Sequence, residues 1–203
     1  MIAIVDYGVG NLFSLRCSFS AIGAETVVTG DAAELAKADR IVLPGVGAFG
    51  DARKKLAERG LDMALVSLAA SGKPLLGICL GMQLLFEKSE EFGVHEGLGL
   101  LPGEVTDMAP RLPEGLKTPA IGWNALHLTR PEHPLLANTR EGDCMYFVHS
   151  FSAVHCGDAL LAEAEYGIPV TAAVGSGNVM GCQFHPEKSG SCGLALLRAF
   201  CEG

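Results

Sequence analysis

The first eighty residues alternate short apolar runs with amphipathic stretches, and this alternation most restricts what the chain can fold into. "IAIVD", "ETVVT", "RIVLPG" and "PLLGIC" are separated by "NLFSLRCSFSAIG", "DAAELAKA" and "DARKKLAERGLDMALVSLAASG". Apolar runs with no polar side read as strands buried on both faces, and helical periods between them read as crossovers. Right-handed βαβ units then build an α/β fold, with a mostly parallel, doubly covered central sheet and flanking helices. Asn11 and Asp31 stand where helix N-caps belong, Gly23 where the first helix ends, and Gly72 where the long third helix closes.

After about Gly97 the pattern changes to proline, turns and shorter strand-like pieces, "YFVHSFSAV" and "VTAAVGSGNVMGCQF". The second predicts a hairpin turning at Gly175 to Asn178, hence an antiparallel C-terminal portion. "SGSCGLALLRAFC" predicts a closing helix, with Leu194, Leu197, Arg198 and Cys201 at helical spacing. A chain of 203 residues without linker or repeat is expected to form a single domain, residues 1–203.

Composition excludes several function classes. A net charge of −8 opposes a phosphate-neutralising surface, so no nucleic-acid partner is expected. Met1 runs directly into "IAIVD", and no apolar run is long enough to span a bilayer; no membrane partner and a cytoplasmic location are expected. Seven cysteines with no Cys-x-x-Cys spacing argue against a disulfide framework or zinc ribbon. Cys144, His149, Cys156 and Cys182 are too irregularly spaced for a metal site. No metal or cofactor is called for.

Three predicted strands end in glycine-rich loops, at Gly8 to Asn11, Gly45 to Gly50 and Gly77 to Gly81. Ligands of parallel sheets bind at the carboxyl ends of strands, so the three loops are expected to share a crevice. "GICLG" has the nucleophile-elbow form with sulfur in place of a hydroxyl. Cys79 then projects at a helix N-terminus, where free amides favour a thiolate, and the Leu80 amide faces a developing oxyanion. "QFHPEKS" offers a base and an orienting carboxylate, His185 and Glu187, with Pro186 favouring an extended backbone that turns both to one side. Gly45, Val46 and Gly47 in "PGVGAFGD" can turn a peptide toward the oxyanion. The loop lacks the Gly-Lys-Ser/Thr ending of a phosphate loop.

With "PGVGAFGD", "GICLGMQLLF" and "FHPEKS" in this order, the chain resembles the class I, triad-type glutamine amidotransferases. "DYGVGNLFSL", "IGWNAL" and "YFVHSF" extend the likeness, within that family, to the glutaminase subunits of imidazole glycerol phosphate synthase in histidine biosynthesis. The resemblance implies that Cys79 attacks the side-chain amide of L-glutamine, with His185 as base and then acid, Glu187 orienting it, and Val46, Gly47 and Leu80 around the oxyanion. It implies that Gly45, Gln83, Glu91, Ser150 and Phe151 bind substrate, Glu91 taking the α-ammonium and the backbone of Ser150 and Phe151 the α-carboxylate. It further implies a heterodimer with a (β/α)8 cyclase subunit that receives the ammonia, through an interface holding Trp123, Asn124, Tyr146 and Lys188. Ala120 and Phe151 stand where the family often has histidine and tyrosine.

Three other readings share these motifs. A glutaminase subunit of another synthase, serving anthranilate, aminodeoxychorismate or pyridoxal phosphate synthesis, would carry its own oxyanion loop where this chain has "GAFGD". A subunit that keeps the fold only to stabilise a partner would not need the triad, and a thiol hydrolase with the same elbow would not prefer free glutamine. Core burial of Trp123 is the alternative to an interface role.

Overall fold

The computed structural model describes all residues, 1–203. Thirteen strands and six helices follow in the order β1 (Ile2–Val5), α1 (Leu12–Ala21), β2 (Thr26–Thr29), α2 (Ala32–Lys37), β3 (Arg40–Leu43), α3 (Phe49–Glu58), α4 (Leu61–Ala70), β4 (Leu75–Ile78), α5 (Leu80–Gln83), β5 (Lys88–Ser89), β6 (His95–Glu96), β7 (Glu104–Asp107), β8 (Ala120–Leu128), β9 (Cys144–His149), β10 (Phe151–Val154), β11 (Leu160–Glu165), β12 (Pro169–Ser176), β13 (Val179–Cys182) and α6 (Gly190–Glu202). The main sheet has the order β2-β1-β3-β4-β13-β12-β11-β8-β9. Its first five strands pair in parallel and the remainder antiparallel. This is the expected α/β architecture.

The pleat divides the apolar strand residues between two cores. Ala3, Val5 and Leu43 face Leu35, Leu56, Leu61 and Leu65 of α2 to α4. Ile2, Ile4, Val42, Leu76 and Ile78 face Leu15 and Phe19 of α1 and Leu196, Leu197 and Phe200 of α6. Burial on both faces explains why these strands carry no polar alternation.

Local signals resolved differently in three places. The expected third helix is two helices, because Gly60 takes a left-handed φ of 64° and ends α3 before Leu61 starts α4. Asp31 caps α2, accepting from the Ala33 amide at 2.7 Å, whereas Asn11 occupies the cap position of α1 without a side-chain bond. Their backbones differ: Asp31 is extended, and Asn11, at ψ 64°, is not. In α6 the buried residues are Gly193, Leu196, Leu197, Ala199 and Phe200, so Leu197 alone of the four expected helix residues is fully buried.

"YFVHSFSAV" does not form one strand. It breaks at Ser150 into β9 at the edge of the main sheet and β10 in a second sheet ordered β10-β7-β5-β6. The expected hairpin is β12 and β13, turning at Gly177 and Asn178. Its second strand runs alongside β4 in register Cys182 to Ile78, which brings the two ends carrying Cys79 and His185 to the same edge.

Candidate active site

At Cys79 the backbone turns from β4 into α5 with φ 56° and ψ −116°, a conformation costing a side-chain-bearing residue about 1–2 kcal/mol. Neighbouring chains hold it there. The Cys79 amide donates to the Cys182 carbonyl at 2.8 Å, and the Cys79 carbonyl accepts from Gln83 at 3.2 Å. The elbow glycines answer to sterics: a Cβ on Gly77 would lie 2.6 Å from the Gly81 carbonyl oxygen, and one on Gly81 would overlap the Leu43 carbonyl.

Gly45 meets the elbow from the other side. A Cβ there would come within 2.6 Å of the Gly81 amide nitrogen, so the residue sequence reasoning gave to substrate lies buried under the pocket floor rather than along its wall. Val46 and Gly47, both exposed, do line the pocket, and Gly47 has φ 90°.

The pocket has a volume of about 270 Å³ and is lined by Val46, Gly47, Cys79, Leu80, Gln83, Glu91, Pro119, Val148, His149, Ser150, Phe151 and His185. Two of the three glycine loops therefore converge. The loop at Gly8 to Asn11 stays outside and braces its neighbour: the Tyr7 hydroxyl donates to the Pro44 carbonyl at 2.7 Å, and Gly10 rests on the Pro44 ring. Burial, and then the nearby Cys79 sulfur, push the Tyr7 phenol up from its ordinary value.

His185 and Glu187 are brought together by a different device from the extended backbone expected. Pro186 opens a 3₁₀ turn over residues 186–188, closed by the Lys188 amide donating to the His185 carbonyl at 3.0 Å. Proline suits this first position, where its fixed φ fits and no amide proton is needed. His185 Nδ1 lies 2.9 Å from Glu187 Oε1, with side chains 3% and 1% exposed. Burial disfavours the imidazolium, but hydrogen bonding to Cys79 and Glu187 outweighs it and raises His185 to about 9. Such a row can hold an imidazolium beside a sulfur nucleophile, the resting pair that thiol acyl transfer uses.

Other pocket residues are tied together. Gln83 Nε2 donates to the Phe151 carbonyl at 3.1 Å and to Gln183 Oε1 at 2.9 Å. Glu91 Oε2 accepts from the Phe49 amide at 2.6 Å, so this carboxylate also secures the start of α3, directly after the Val46–Gly47 loop. The Ser150 carbonyl accepts from Met108 at 3.0 Å, and Phe151 O lies 2.8 Å from His149 Nδ1.

His149 lines the pocket and Gln183 lies fully buried behind it; neither placement was expected from the sequence. Burial, offset in part by the Phe151 hydrogen bond, lowers His149 to about 4, so two histidines in one pocket differ in charge at neutral pH. The sequence signal for Gln183 is its place two residues before His185 in "QFHPEKS".

The four residues expected at an interface divide. Trp123 is 56% exposed, which excludes the core alternative, and stacks edge-on against Tyr146 at 5.8 Å between ring centroids, while Lys188 Nζ sits 5.5 Å from the Tyr146 centroid. Ile121 shares this exposed face. Asn124, half-buried, falls on the opposite face of β8 because strand side chains alternate. No group of three or more His, Cys, Asp or Glu side chains is arranged to hold a metal ion, and no helix is long and apolar enough to cross a membrane.

The family described as glutamine amidotransferase class-I matches residues 3–202. A Sulfurimonas denitrificans protein named imidazole glycerol phosphate synthase subunit HisH is 50% identical, over 98% of this chain and 97% of its own length. Proteins of the same name from Wolinella succinogenes (48% identical; 100% and 99% covered) and Bacillus licheniformis (51%; 98% and 95%) are similar throughout. Among solved structures, PurLQS from Thermotoga maritima shares the fold with a TM-score of 0.78 at 21% identity, covering 99% of this chain and 97% of its own. A crystal structure of glutamine amidotransferase gives 0.77 at 20%, covering 100% and 98%. With these likenesses running from end to end and the elbow cysteine facing a buried His–Glu pair, the chain belongs to the class I glutamine amidotransferase family.

Proposed function

We propose that the protein is the glutaminase subunit of imidazole glycerol phosphate synthase, hydrolysing L-glutamine to glutamate and ammonia in histidine biosynthesis. The observation that carries this reading is the pair Cys79 and His185 lining an amino-acid-sized pocket, with Glu187 held against His185 behind it, in a chain 48–51% identical to proteins named as HisH subunits.

Cys79 Sγ attacks the side-chain amide carbon. The developing oxyanion is met by the Leu80 amide and by a peptide of the Val46–Gly47 loop, which glycine allows to turn. His185, held by Glu187, gives its proton to the departing ammonia. It then takes a proton from water as the γ-glutamyl thioester is cleaved. Glu91 receives the α-ammonium, the backbone of Ser150 and Phe151 receives the α-carboxylate, and Gln83 shapes the pocket between them.

Ammonia released into neutral water becomes ammonium and loses its nucleophilic pair, so it must be passed on under shelter. The partner in this reading is a (β/α)8 cyclase subunit, forming a heterodimer across the face of Trp123, Tyr146 and Lys188, in the cytoplasm. The whole chain, 1–203, acts as one unit in that assembly.

Glutamate release measured for wild type and Cys79→Ala, each alone and with the cyclase subunit and its ribonucleotide ligand, tests the reading. Turnover that requires Cys79 and rises with the liganded partner is expected. Turnover surviving Cys79→Ala, or no turnover from folded, associated proteins, would overturn it.

A further inference from the structure

The chain contains only two glutamines, Gln83 and Gln183, and they are hydrogen-bonded to each other inside the pocket wall. Gln183 is fully buried, with its backbone amide held by the Ala172 carbonyl at 2.8 Å. Its side chain points at the elbow, Nε2 lying 3.8 Å from Cys79 Sγ.

The polarity of this row follows from one fixed acceptor. The Phe151 carbonyl can only accept, so the end of Gln83 that reaches it is the NH2 group. That same NH2 reaches Gln183, which must answer with its oxygen. The NH2 of Gln183 is thereby left facing the sulfur.

We propose that Gln183 is a thiolate-binding residue of the glutaminase reaction, donating an N–H to Cys79 Sγ in an orientation dictated through Gln83 by the Phe151 carbonyl. The inference rests on Cys79 as nucleophile. A donor that cannot accept a proton stabilises the sulfur as thiolate and as leaving group when the thioester breaks, while leaving all proton transfer to His185. It also links the backbone around Phe151 to the reacting atom, so a ligand that shifts Phe151 reorients the donor.

Two measurements on the full chain test this. In protein labelled with ¹⁵N at glutamine side chains, one of the two NH2 pairs is expected to move with pH along the midpoint of Cys79 alkylation by iodoacetamide, followed on the Cys79 peptide. That movement should vanish in Cys79→Ala. Gln183→Met, similar in length but without a donor, is expected to slow Cys79 alkylation at neutral pH about ten-fold, the loss typical of a hydrogen bond to a charged group, and to move its midpoint upward.

Movement that persists in Cys79→Ala, NH2 pairs blind to the sulfur, or a folded Gln183→Met alkylated at the wild-type rate would overturn the inference. If Gln183→Met does not fold, the wild-type titration decides alone. Glutamine hydrolysis surviving Cys79→Ala would instead remove the nucleophile, a failure that neither measurement can be mistaken for.

Discussion

The backbone carbonyl of Tyr146 accepts the amide proton of His185 at 2.9 Å, so the buried base hangs directly from β9, whose half-buried Tyr146 ring packs edge-on against the exposed Trp123 of β8. The same residue is tied a second time, its amide donating to Ser189 Oγ, which in turn donates to the His185 carbonyl at 2.6 Å. A partner seated on Trp123, Tyr146 and Lys188 would press on the peptide that positions the imidazole.

Trp123→Ala should leave unfolding of the isolated chain nearly unchanged, since the ring is mostly in solvent, and weaken association with the cyclase subunit about thirty-fold, as for an aromatic hot spot. Lys188→Ala should weaken association or coupled turnover with the fold intact. Titration calorimetry with the partner checks both, and unchanged affinity in both variants would remove this face from the interface.

Glu187→Gln should move the alkaline limb of the pH–rate profile to lower pH. In the native chain His185 keeps its proton up to about 9, so the acid for departing ammonia is present below that value and lost above it. Removing the carboxylate removes one of the two partners that hold the proton, and kcat should fall roughly a hundred-fold or more. A limb that stays near its wild-type position would exclude Glu187 from tuning the base.

His149 predicts a loss of stability in acid. The unfolded chain takes up this proton near 6.5 and the folded chain only near 4. The stability is therefore whole above about 6.5 and drains away as pH falls toward 4. Between pH 7 and pH 5 the linkage amounts to about 2 kcal/mol. Urea unfolding of wild type and His149→Asn at both values should show a smaller difference between them in the variant.

Gly81→Ala should cost about 3 kcal/mol, the upper range for an overpacked site, because the added methyl overlaps the Leu43 carbonyl. Gly8→Ala, with φ 86° and open space around it, should lose only about 1 kcal/mol from backbone strain. Equal losses in thermal unfolding would show that the elbow yields more than its geometry implies.

Glu91→Ala should raise KM for glutamine about ten-fold or more, by removing a charged partner of the substrate, and lower stability by about 1 kcal/mol through the lost bond to the first amide of α3. A raised KM without any loss of stability would separate the two roles.

How much of this was legible in sequence depended on range. The alternation of apolar runs with helical periods was enough for the parallel half, because strands buried on both faces need no knowledge of their neighbours to be recognised. The elbow and the His-Pro-Glu pair were legible for a similar reason: each is a local device whose glycines and proline announce unusual backbone. The break at Gly60 was visible as a glycine but not as a left-handed turn, since glycine is tolerated inside helices as well. The 3₁₀ turn after His185 was missed because proline fits both it and an extended chain.

The sequence by itself determined the fold class, the candidate nucleophile and its candidate base, since those follow from period, backbone freedom and side-chain chemistry within a few residues. Tertiary structure decided what each side chain faces. Only there does Gly45 go beneath the elbow, Asn124 turn away from Trp123, Glu91 reach the start of α3 and Gln183 find the sulfur, across separations of up to 104 residues. The physical reason is that these placements are set by strand register and by which loops share an edge, and pairing between distant segments leaves no local mark on composition or spacing.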